Sequence, residues 1–168
     1  SFAQQAPEKK DVTIAVGGKS LYYYLPLSIA EQLGYFKDEG LNVKIVDFQG
    51  GSRSLQAVVG GSADVVSGAF EHTISMQAKK QPMTAFVLQG RAPQLALVVS
   101  NKTMKDYKQL SDLKGKKVGV TAPGSSSQMV ANFILKKGGL GPKDVAFIGV
   151  GSSSGAVSAI RSCLLYTS

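Results

Sequence analysis

The sequence predicts an α/β fold of two lobes, each built from parallel strands that helices connect. One arrangement occurs twice, over residues 12–48 and again over 118–150: a strand, a turn of small residues, an amphipathic helix, Gly-Leu and a second strand. Each second strand leads into small residues, Gly50-Gly51-Ser52 in the first copy and Gly151-Ser152-Ser153 in the second. Strands that alternate with helices form parallel sheets, so each copy is interpreted as one βαβ unit.

The first copy starts with a strand at 12–16. A helix begins near Leu25-Pro26, because proline fits the first helical turn. Helical spacing predicts a buried face made of Leu25, Ile29, Ala30 and Leu33. The alternation of apolar and polar residues then predicts the second strand at 42–48.

The segment after this strand continues the first lobe. Ser52 is expected to cap a helix that Gly60-Gly61 ends. The predicted buried face of that helix is made of Leu55, Val58 and Val59. A short buried strand at 63–67 and a helix at 71–80 follow.

Residues 83–113 are predicted to complete the first lobe and cross to the second. Continuous apolar runs predict strands at 83–88 and 95–99, on either side of a turn at 90–93. The polar stretch at 101–113 has no periodicity, and it is interpreted as the crossover between the lobes.

The second copy repeats the plan of the first. A helix after Ser125 has a predicted buried face made of Met129, Val130, Phe133 and Ile134. It ends at Lys136-Lys137-Gly138, where cations suit the helix dipole and glycine suits the C-terminus. A strand at 145–150 follows, and then a helix from near Ser153 that buries Val157 and Ile160.

The chain divides into five segments. Residues 1–10 are interpreted as the remnant of a signal-peptide cleavage region and a short linker. Residues 11–100 form the first lobe, 101–111 the crossover and 112–162 the first part of a truncated second lobe. Residues 163–168 match what a transposon-derived sequencing adapter encodes in this frame, so the sequence is interpreted as a gene fragment that ends in an adapter scar.

Composition limits the possible partners. The 168 residues are 43% hydrophobic and 18% charged, with a net charge of +8, which is typical of a globular chain. The lysines lie in short scattered runs, without an aromatic-basic pattern or a DNA-binding motif, so nucleic acid is not expected as a partner. The single cysteine, Cys163, lies in the adapter segment, and a chain otherwise free of cysteine suits an oxidising compartment.

Small residues after the predicted strands indicate a binding cleft. Open α/β sheets bind ligands at the carboxyl ends of their strands, and helix N-termini with serine or threonine hydroxyls hold oxyanions well. We therefore predict a small anionic or polar solute between turns of the two lobes, although each turn could instead be an ordinary helix cap. The predicted ligand-binding residues are Gly17, Tyr22, Tyr23, Gly50, Gly51, Ser52, Gly68, Ala69, Phe70, Arg91, Thr121, Gly124, Ser125, Ser126, Gly151 and Ser152.

Several side chains have a second interpretation. Tyr22 and Tyr23 could stack on the ligand or pack against the lobe. Arg91 could bind an anion through two hydrogen bonds, or could be an ordinary surface residue. Glu71 beside His72 suggests acid-base chemistry, but the preferred interpretation is a first-turn acid followed by a histidine on the helix surface. No catalytic residue, metal site or cofactor is predicted.

Four segments resemble periplasmic solute-binding proteins of the nitrate, sulfonate and taurine type. They are PLSIAEQLGYFKDEGL at 26–41, QGGS at 49–52, AVVGGSADV at 57–65 and LKGKKVGV at 113–120. The same superfamily includes proteins that bind pyrimidine precursors of thiamine. The resemblance covers residues 11–162, and it departs from the family pattern after Ser162, where a Gly-x-apolar-Asp-Ala strand would follow.

The resemblance implies a periplasmic-binding-protein-like fold and a function in transport. We expect a monomer in the periplasm, or lipid-anchored outside a Gram-positive cell, that delivers its solute to an ABC permease in the membrane. The alternative is a thiamine-pyrimidine-precursor binding protein or a related pyrimidine synthase. Those synthases have a cysteine-rich cluster, and its absence from this sequence argues against the enzyme. A sensory domain of a regulator shares the architecture, but no DNA-binding segment is present.

Overall fold

The computed structural model describes residues 6–162 and contains two parallel sheets, one in each lobe. The expected cleavage-region residues 1–5 and the expected adapter residues 163–168 lie outside the described residues. None of the helices in the described part of the chain is long and apolar enough to cross a membrane.

The first lobe is built on three parallel strands in the order β2-β1-β3. The strands are β1 (Asp11–Val16), β2 (Asn42–Asp47) and β3 (Val65–Val66). The helices are α1 (Leu25–Gln32), α2 (Tyr35–Asp38), α3 (Gly51–Val59) and α4 (Glu71–Ala78), and a 3-10 turn at Tyr22–Tyr24 precedes α1. The helix that separates β1 from β2 confirms the predicted first βαβ unit.

The second lobe contains the strands β4 (Lys117–Val120) and β5 (Ala146–Gly149), which pair in parallel. The helix α5 (Ser126–Lys137) connects them, α6 (Ser154–Arg161) follows, and a 3-10 turn at Leu110–Leu113 precedes β4. Gly138 caps α5 directly after Lys136 and Lys137, as the sequence predicts. The second βαβ unit is therefore confirmed.

Alternating residues of β1 build the core of the first lobe on both faces of the sheet. Ile14 and Val16 pack with Tyr24 and Leu27 on one face. Ala15 packs with Ala57 and Ala63 on the other face, where the small side chains let α3 approach closely. Since side chains of a strand alternate between faces, β1 is the central strand that both layers cover.

The buried faces predicted for α1 and α5 are wrong. In α1 the buried residue is Leu27, whereas Leu25, Ile29 and Leu33 are exposed. In α5 the buried residues are Ala131 and Leu135, while Met129 and Phe133 are exposed. Each helix carries apolar side chains on two faces, and spacing alone does not indicate which face meets the sheet.

The strands predicted at 83–88 and 95–99 are also wrong, because this part of the chain is irregular and pairs with no strand of the described residues. Phe86, Val87, Leu88 and Val98 are largely exposed. An apolar run forms a strand only where a neighbouring strand pairs with its backbone N–H and C=O groups.

The segment before β4 packs with the second lobe. Leu97 and Val99, which the sequence assigned to the first lobe, contact the cluster of Leu113, Val118, Ala131, Leu135, Leu140 and Val145. Met104, Tyr107 and Leu110 pack against the same cluster. The predicted crossover therefore supplies part of the second core.

Candidate functional site

The carboxyl ends of the strands in the two lobes meet. A methyl group added to Gly50, after β2, would lie 2.8 Å from the Cβ of Ala122, after β4. One added to Gly18, after β1, would lie 2.3 Å from the Oγ of Ser152, after β5. The φ of Gly50 is 97°, a conformation that glycine adopts most readily. The predicted turns of both lobes therefore face one another at van der Waals distance.

Ser52 and Ser125 join the lobes through hydrogen bonds. The Ser52 N–H donates to Ser125 Oγ at 3.0 Å, and Ser125 Oγ donates to Ser52 Oγ at 3.0 Å. Ser52 Oγ in turn donates to the carbonyl oxygen of Pro123 at 2.9 Å. Ser125 is 2% exposed, and its two bonds to Ser52 are partly buried, whereas the bond from Ser52 to Pro123 is exposed. Ser52 lies inside α3, whose N-cap is Gly50, and the expectation that Ser52 caps this helix is wrong.

The turn before α5 is held by hydrogen bonds of its own. The Thr121 N–H donates to Ser127 Oγ at 3.0 Å, and the two hydroxyl oxygens are 2.8 Å apart. The Gly124 N–H donates to Oε1 of Gln128 at 2.7 Å. Among residues 6–162, the Ser126 hydroxyl makes no hydrogen bond. Of the hydroxyls predicted to bind ligand in this turn, it is the one that could bond to a solute without breaking another hydrogen bond.

The turn after β1 uses its backbone donors internally. The Gly17 N–H donates to the Tyr24 hydroxyl at 3.1 Å, and the N–H groups of Gly18 and Lys19 both donate to Oδ1 of Asp47 at 2.9 Å. Burial raises the pKa of Tyr24 to about 12. Tyr24 and Asp47 are absent from the predicted residues, and they hold this edge of the cleft in shape.

His72 lies beside the first-lobe turns, and the expectation that it is a surface residue is wrong. It is 7% exposed, and its Nε2 has no hydrogen-bond partner in the described part of the chain. A methyl group added to Gly51 would lie 3.2 Å from this nitrogen, and one added to Gly68 would lie 3.7 Å from the imidazole Cδ2. An unpaired buried polar group costs about 1–3 kcal/mol, and such atoms are usually satisfied by a water or another polar group; the Oδ1 of Asn132 is in the same state.

Glu71 and Tyr23 adjoin this histidine. Oε1 of Glu71 lies 3.9 Å from His72 Nε2, beyond hydrogen-bond distance. Burial raises the pKa of the Tyr23 hydroxyl, and the nearby Glu71 carboxylate raises it further. The sequence signal that could have found His72 is its position two residues after the predicted turn Gly68-Ala69-Phe70.

Other predicted residues have less support from the structure. Tyr22 is 86% exposed, Phe70 is largely exposed and Ala69 is half-buried. Arg91 is exposed in a bend, and it takes part in no hydrogen bond or ion pair of residues 6–162. Gly151 approaches the side chain of Gln49, where an added methyl group would lie 3.3 Å from Nε2.

The described residues contain no group of three or more His, Cys, Asp or Glu side chains that could hold a metal ion. The groups available at the site are helix N-termini and hydrogen-bond donors. Three helices, α3, α5 and α6, begin at the turns where the lobes meet. Helix N-termini carry unpaired N–H groups and partial positive charge, so this arrangement favours an anionic group.

One curated relative is named as a pyrimidine phosphate synthase. It is the 4-amino-5-hydroxymethyl-2-methylpyrimidine phosphate synthase of Schizosaccharomyces pombe, which is 27% identical over 141 residues. The match covers 83% of this chain and 39% of the enzyme. The chain therefore spans about two fifths of the length of this relative.

Solved structures share the fold. A protein of Bordetella bronchiseptica RB50 is 64% identical, with a TM-score of 0.93 over 96% of this chain and 51% of that one. The alkanesulfonate-binding protein SsuA of Xanthomonas axonopodis, bound to MOPS, is 21% identical, with a TM-score of 0.65 over 95% of this chain and 54% of that one. The model of the NMT1/THI5-like family matches residues 22–162. The resemblance seen in the sequence is thus confirmed: the chain has the α/β fold of periplasmic solute-binding proteins, and it belongs to the NMT1/THI5-like family.

Proposed function

We propose that this chain captures a small sulfonate-like anion between its two lobes, as the extracytoplasmic binding component of an ABC importer. The observation that carries the proposal is the meeting of the strand ends of both lobes, where Ser52 bonds to Ser125 and Pro123. A solute between these turns contacts both lobes at once, so its binding energy favours their closed arrangement.

The chemistry of the turns suits an oxyanion. The N-termini of α3, α5 and α6 adjoin the cleft, and their partial positive charges add without a formal counter-ion. A charge-assisted hydrogen bond contributes about 1.5–3 kcal/mol, and micromolar binding requires about 8 kcal/mol. Three or four such bonds therefore suffice for capture. Sulfonates, taurine and nitrate all present oxygens of this kind.

The fold that this chain shares with a binding protein supports a role in transport. SsuA of Xanthomonas is an alkanesulfonate-binding protein, and it shares the fold of this chain. In the proposed role the protein lies in the periplasm, or is lipid-anchored at the surface of a Gram-positive cell, and passes its solute to a membrane permease.

A thiamine-pyrimidine precursor is the competing solute. The relative in Schizosaccharomyces pombe is named as a pyrimidine phosphate synthase, and the buried His72 offers a polar contact to a heterocycle. The two solute classes differ in chemistry, because the pyrimidine has an aromatic heterocycle, whereas taurine and nitrate have none. Binding measurements separate them directly.

Calorimetric titration of the 168-residue chain with MOPS, taurine, nitrate and the pyrimidine tests the proposal. We expect sulfonate binding that weakens by about 2–4 kcal/mol when Ser125 and Ser126 are both replaced by Ala, since both hydroxyls are removed. The control is the replacement of Ser158 by Ala on the exposed side of α6, one turn beyond the helix N-terminus, which should change the affinity little. Binding of the pyrimidine alone, or a loss from Ser158→Ala as large as that from the double variant, would contradict the proposed function.

A further inference from the structure

The positive charge of the chain lies almost entirely in the second lobe. Residues 101–162 contain ten Lys and Arg residues and three Asp residues, so they carry +7 of the net charge of +8. Residues 1–100 contain nine Lys and Arg residues against eight Asp and Glu residues. A charge asymmetry of this size between two halves of a chain suggests that one half meets an anionic partner.

The fold gathers these lysines at the end of the lobe that lies away from the cleft. β4 and β5 both run toward the turns that meet the first lobe, so the residues before them lie at the opposite end. α5 runs back from the cleft, and its 12 residues place its C-terminus about 18 Å from its N-terminus. The resulting surface, the basic end of the second lobe, consists of the exposed residues Lys108, Lys114, Lys136, Lys137 and Lys143.

Two loops of the basic end lie side by side. The Gly115 N–H donates to the carbonyl oxygen of Asp144 at 2.7 Å. Lys114 and Lys143 each precede one partner of this bond, so the loop before β4 and the loop before β5 present their ammonium groups on one surface.

The C-terminus of α5 joins the same surface. A methyl group added to Gly138 would collide with the Cβ of Leu110, so the helix end touches the 3-10 turn that precedes β4. Lys108 and Lys137 line one open groove of about 580 Å³ between these two elements. Lysines that are scattered in the sequence are therefore neighbours in the fold.

The charge of the basic end is not paired within the lobe. None of its five lysines takes part in an ion pair of residues 6–162. Two carboxylates of this region bond to backbone N–H groups instead: Asp112 accepts those of Lys108 and Gln109, and Asp144 accepts that of Gly141. The ammonium groups are thus available to an external anionic surface.

The composition of the basic end indicates a membrane more than a protein. None of the large apolar side chains at residues 101–117 and 134–148 is exposed, whereas protein interfaces have an apolar or aromatic centre and contain few lysines. Nine of the ten basic residues in the second lobe are Lys. Lysine is a hydrated point charge on a flexible stem, which suits a diffuse layer of lipid headgroups, whereas arginine suits two-bond contacts of fixed geometry.

We propose that the basic end of the second lobe binds the surface of a membrane that contains anionic lipids. The lysine ammonium groups bond to headgroup phosphates, as clusters of several lysines do at such surfaces. Since α5 separates the basic end from the cleft, a chain held in this way keeps its cleft about 18 Å from the contact and open to solvent. The inference goes beyond the proposed function, and it does not depend on which solute the cleft takes.

Sedimentation of the 168-residue chain with lipid vesicles tests the proposal. We expect the bound fraction to rise with the content of phosphatidylglycerol, to be absent on pure phosphatidylcholine, and to fall in 1 M salt, where charges are screened beyond about 3 Å. Equal binding to pure phosphatidylcholine would overturn the inference, because the exposed apolar residues at 83–98 would then account for it. Binding of a DNA duplex as tight as that of the vesicles at the same ionic strength would overturn the choice of a membrane.

Variants locate the contact. Replacement of four lysines of the basic end by Gln should lower the partition coefficient about tenfold or more, since each lysine at an anionic surface contributes a factor of about five. Removal of four exposed lysines of the first lobe is the matched control, and it should change the coefficient by less than about twofold. The first variant replaces Lys108, Lys114, Lys137 and Lys143, and the control replaces Lys10, Lys37, Lys44 and Lys79.

Thermal unfolding establishes that both variants are folded. Lys114→Gln and Lys143→Gln, each in a loop, serve as single variants that leave the helices intact, and each should lower the coefficient about twofold to fivefold. Equal losses in the basic-end variant and its control would show that net charge and not its location determines binding. That result, or full binding by the folded basic-end variant, would overturn the inference.

Discussion

At the scale of single residues, Tyr24 connects the core of the first lobe to the cleft. Its ring packs with Ile14, Val16 and Leu27, and its hydroxyl accepts the Gly17 N–H at 3.1 Å. Burial raises its pKa to about 12, whereas a tyrosine in an unfolded chain titrates near pH 10. The native state therefore favours the neutral phenol, and the stability that depends on it is present below pH 10 and is lost as the pH rises to about 12.

The alkaline stability of the chain should depend on this hydroxyl. Between pH 10 and pH 12 we expect Tyr24 to lower the free energy of unfolding by about 2–3 kcal/mol, and Tyr24→Phe should lack this contribution. At pH 7 the variant should be less stable by about 1–3 kcal/mol, because the buried Gly17 N–H loses its acceptor. Urea unfolding at several pH values measures both effects. Parallel pH profiles for the two proteins would contradict the assigned shift.

At the scale of elements, α5 shows which face of an apolar helix supports the lobe. Leu135 is fully buried against Val118 and Leu140, whereas Phe133 is 63% exposed and stacks with Lys137. A buried leucine replaced by alanine leaves a cavity, and an exposed side chain does not.

Leu135→Ala should therefore lower the free energy of unfolding by about 2–5 kcal/mol, and Phe133→Ala should change it by less than about 1 kcal/mol. Chemical denaturation of both variants measures the difference. Both variants change one residue of α5 to Ala, so the comparison is matched. Equal losses of stability would contradict the assignment of the Leu135 face as the buried one.

Local chemistry made some of these elements predictable. Pro26 and Gly138 mark helix ends, and the small residues after β2 and β5 mark the turns that meet in the structure, because such residues act through backbone constraints at their own position. The buried rows of α1 and α5 could not be predicted, since Leu25 and Leu27 are both apolar and only the packed sheet selects between them. The bond between Ser52 and Ser125 joins residues 73 positions apart, and no local pattern encodes it.

At the scale of the whole molecule, residues 83–98 expose a strip of apolar side chains. Phe86 and Leu88 are each 72% exposed and Val98 is 70% exposed, although all three residue types are usually buried. The strip adjoins an open cavity of about 590 Å³ that is lined by Leu95, Met129 and Phe133 among others. Exposed apolar surface promotes association.

We expect the 168-residue chain to bind the hydrophobic dye ANS and to self-associate as its concentration rises. Replacement of Phe86 and Leu88 by Ser should reduce both, since it removes apolar area from the strip. Tyr22→Ser, at an aromatic residue elsewhere that is more exposed than Phe86, serves as the control. Dye fluorescence and sedimentation velocity give the readouts, and an effect of Tyr22→Ser as large as that of the double variant would refute the assignment to this strip.

Under the proposed function, the hydroxyls that bridge the lobes also affect the rate at which a bound molecule leaves. Ser52 and Ser125 bond to each other, so these bonds stay the same whatever lies beside them. Separation of the lobes must break them before any captured molecule can escape. They therefore add the same amount to the free-energy barrier for release of every solute. The residence times of different solutes should all be lengthened by the same factor, which the protein sets and the solute does not.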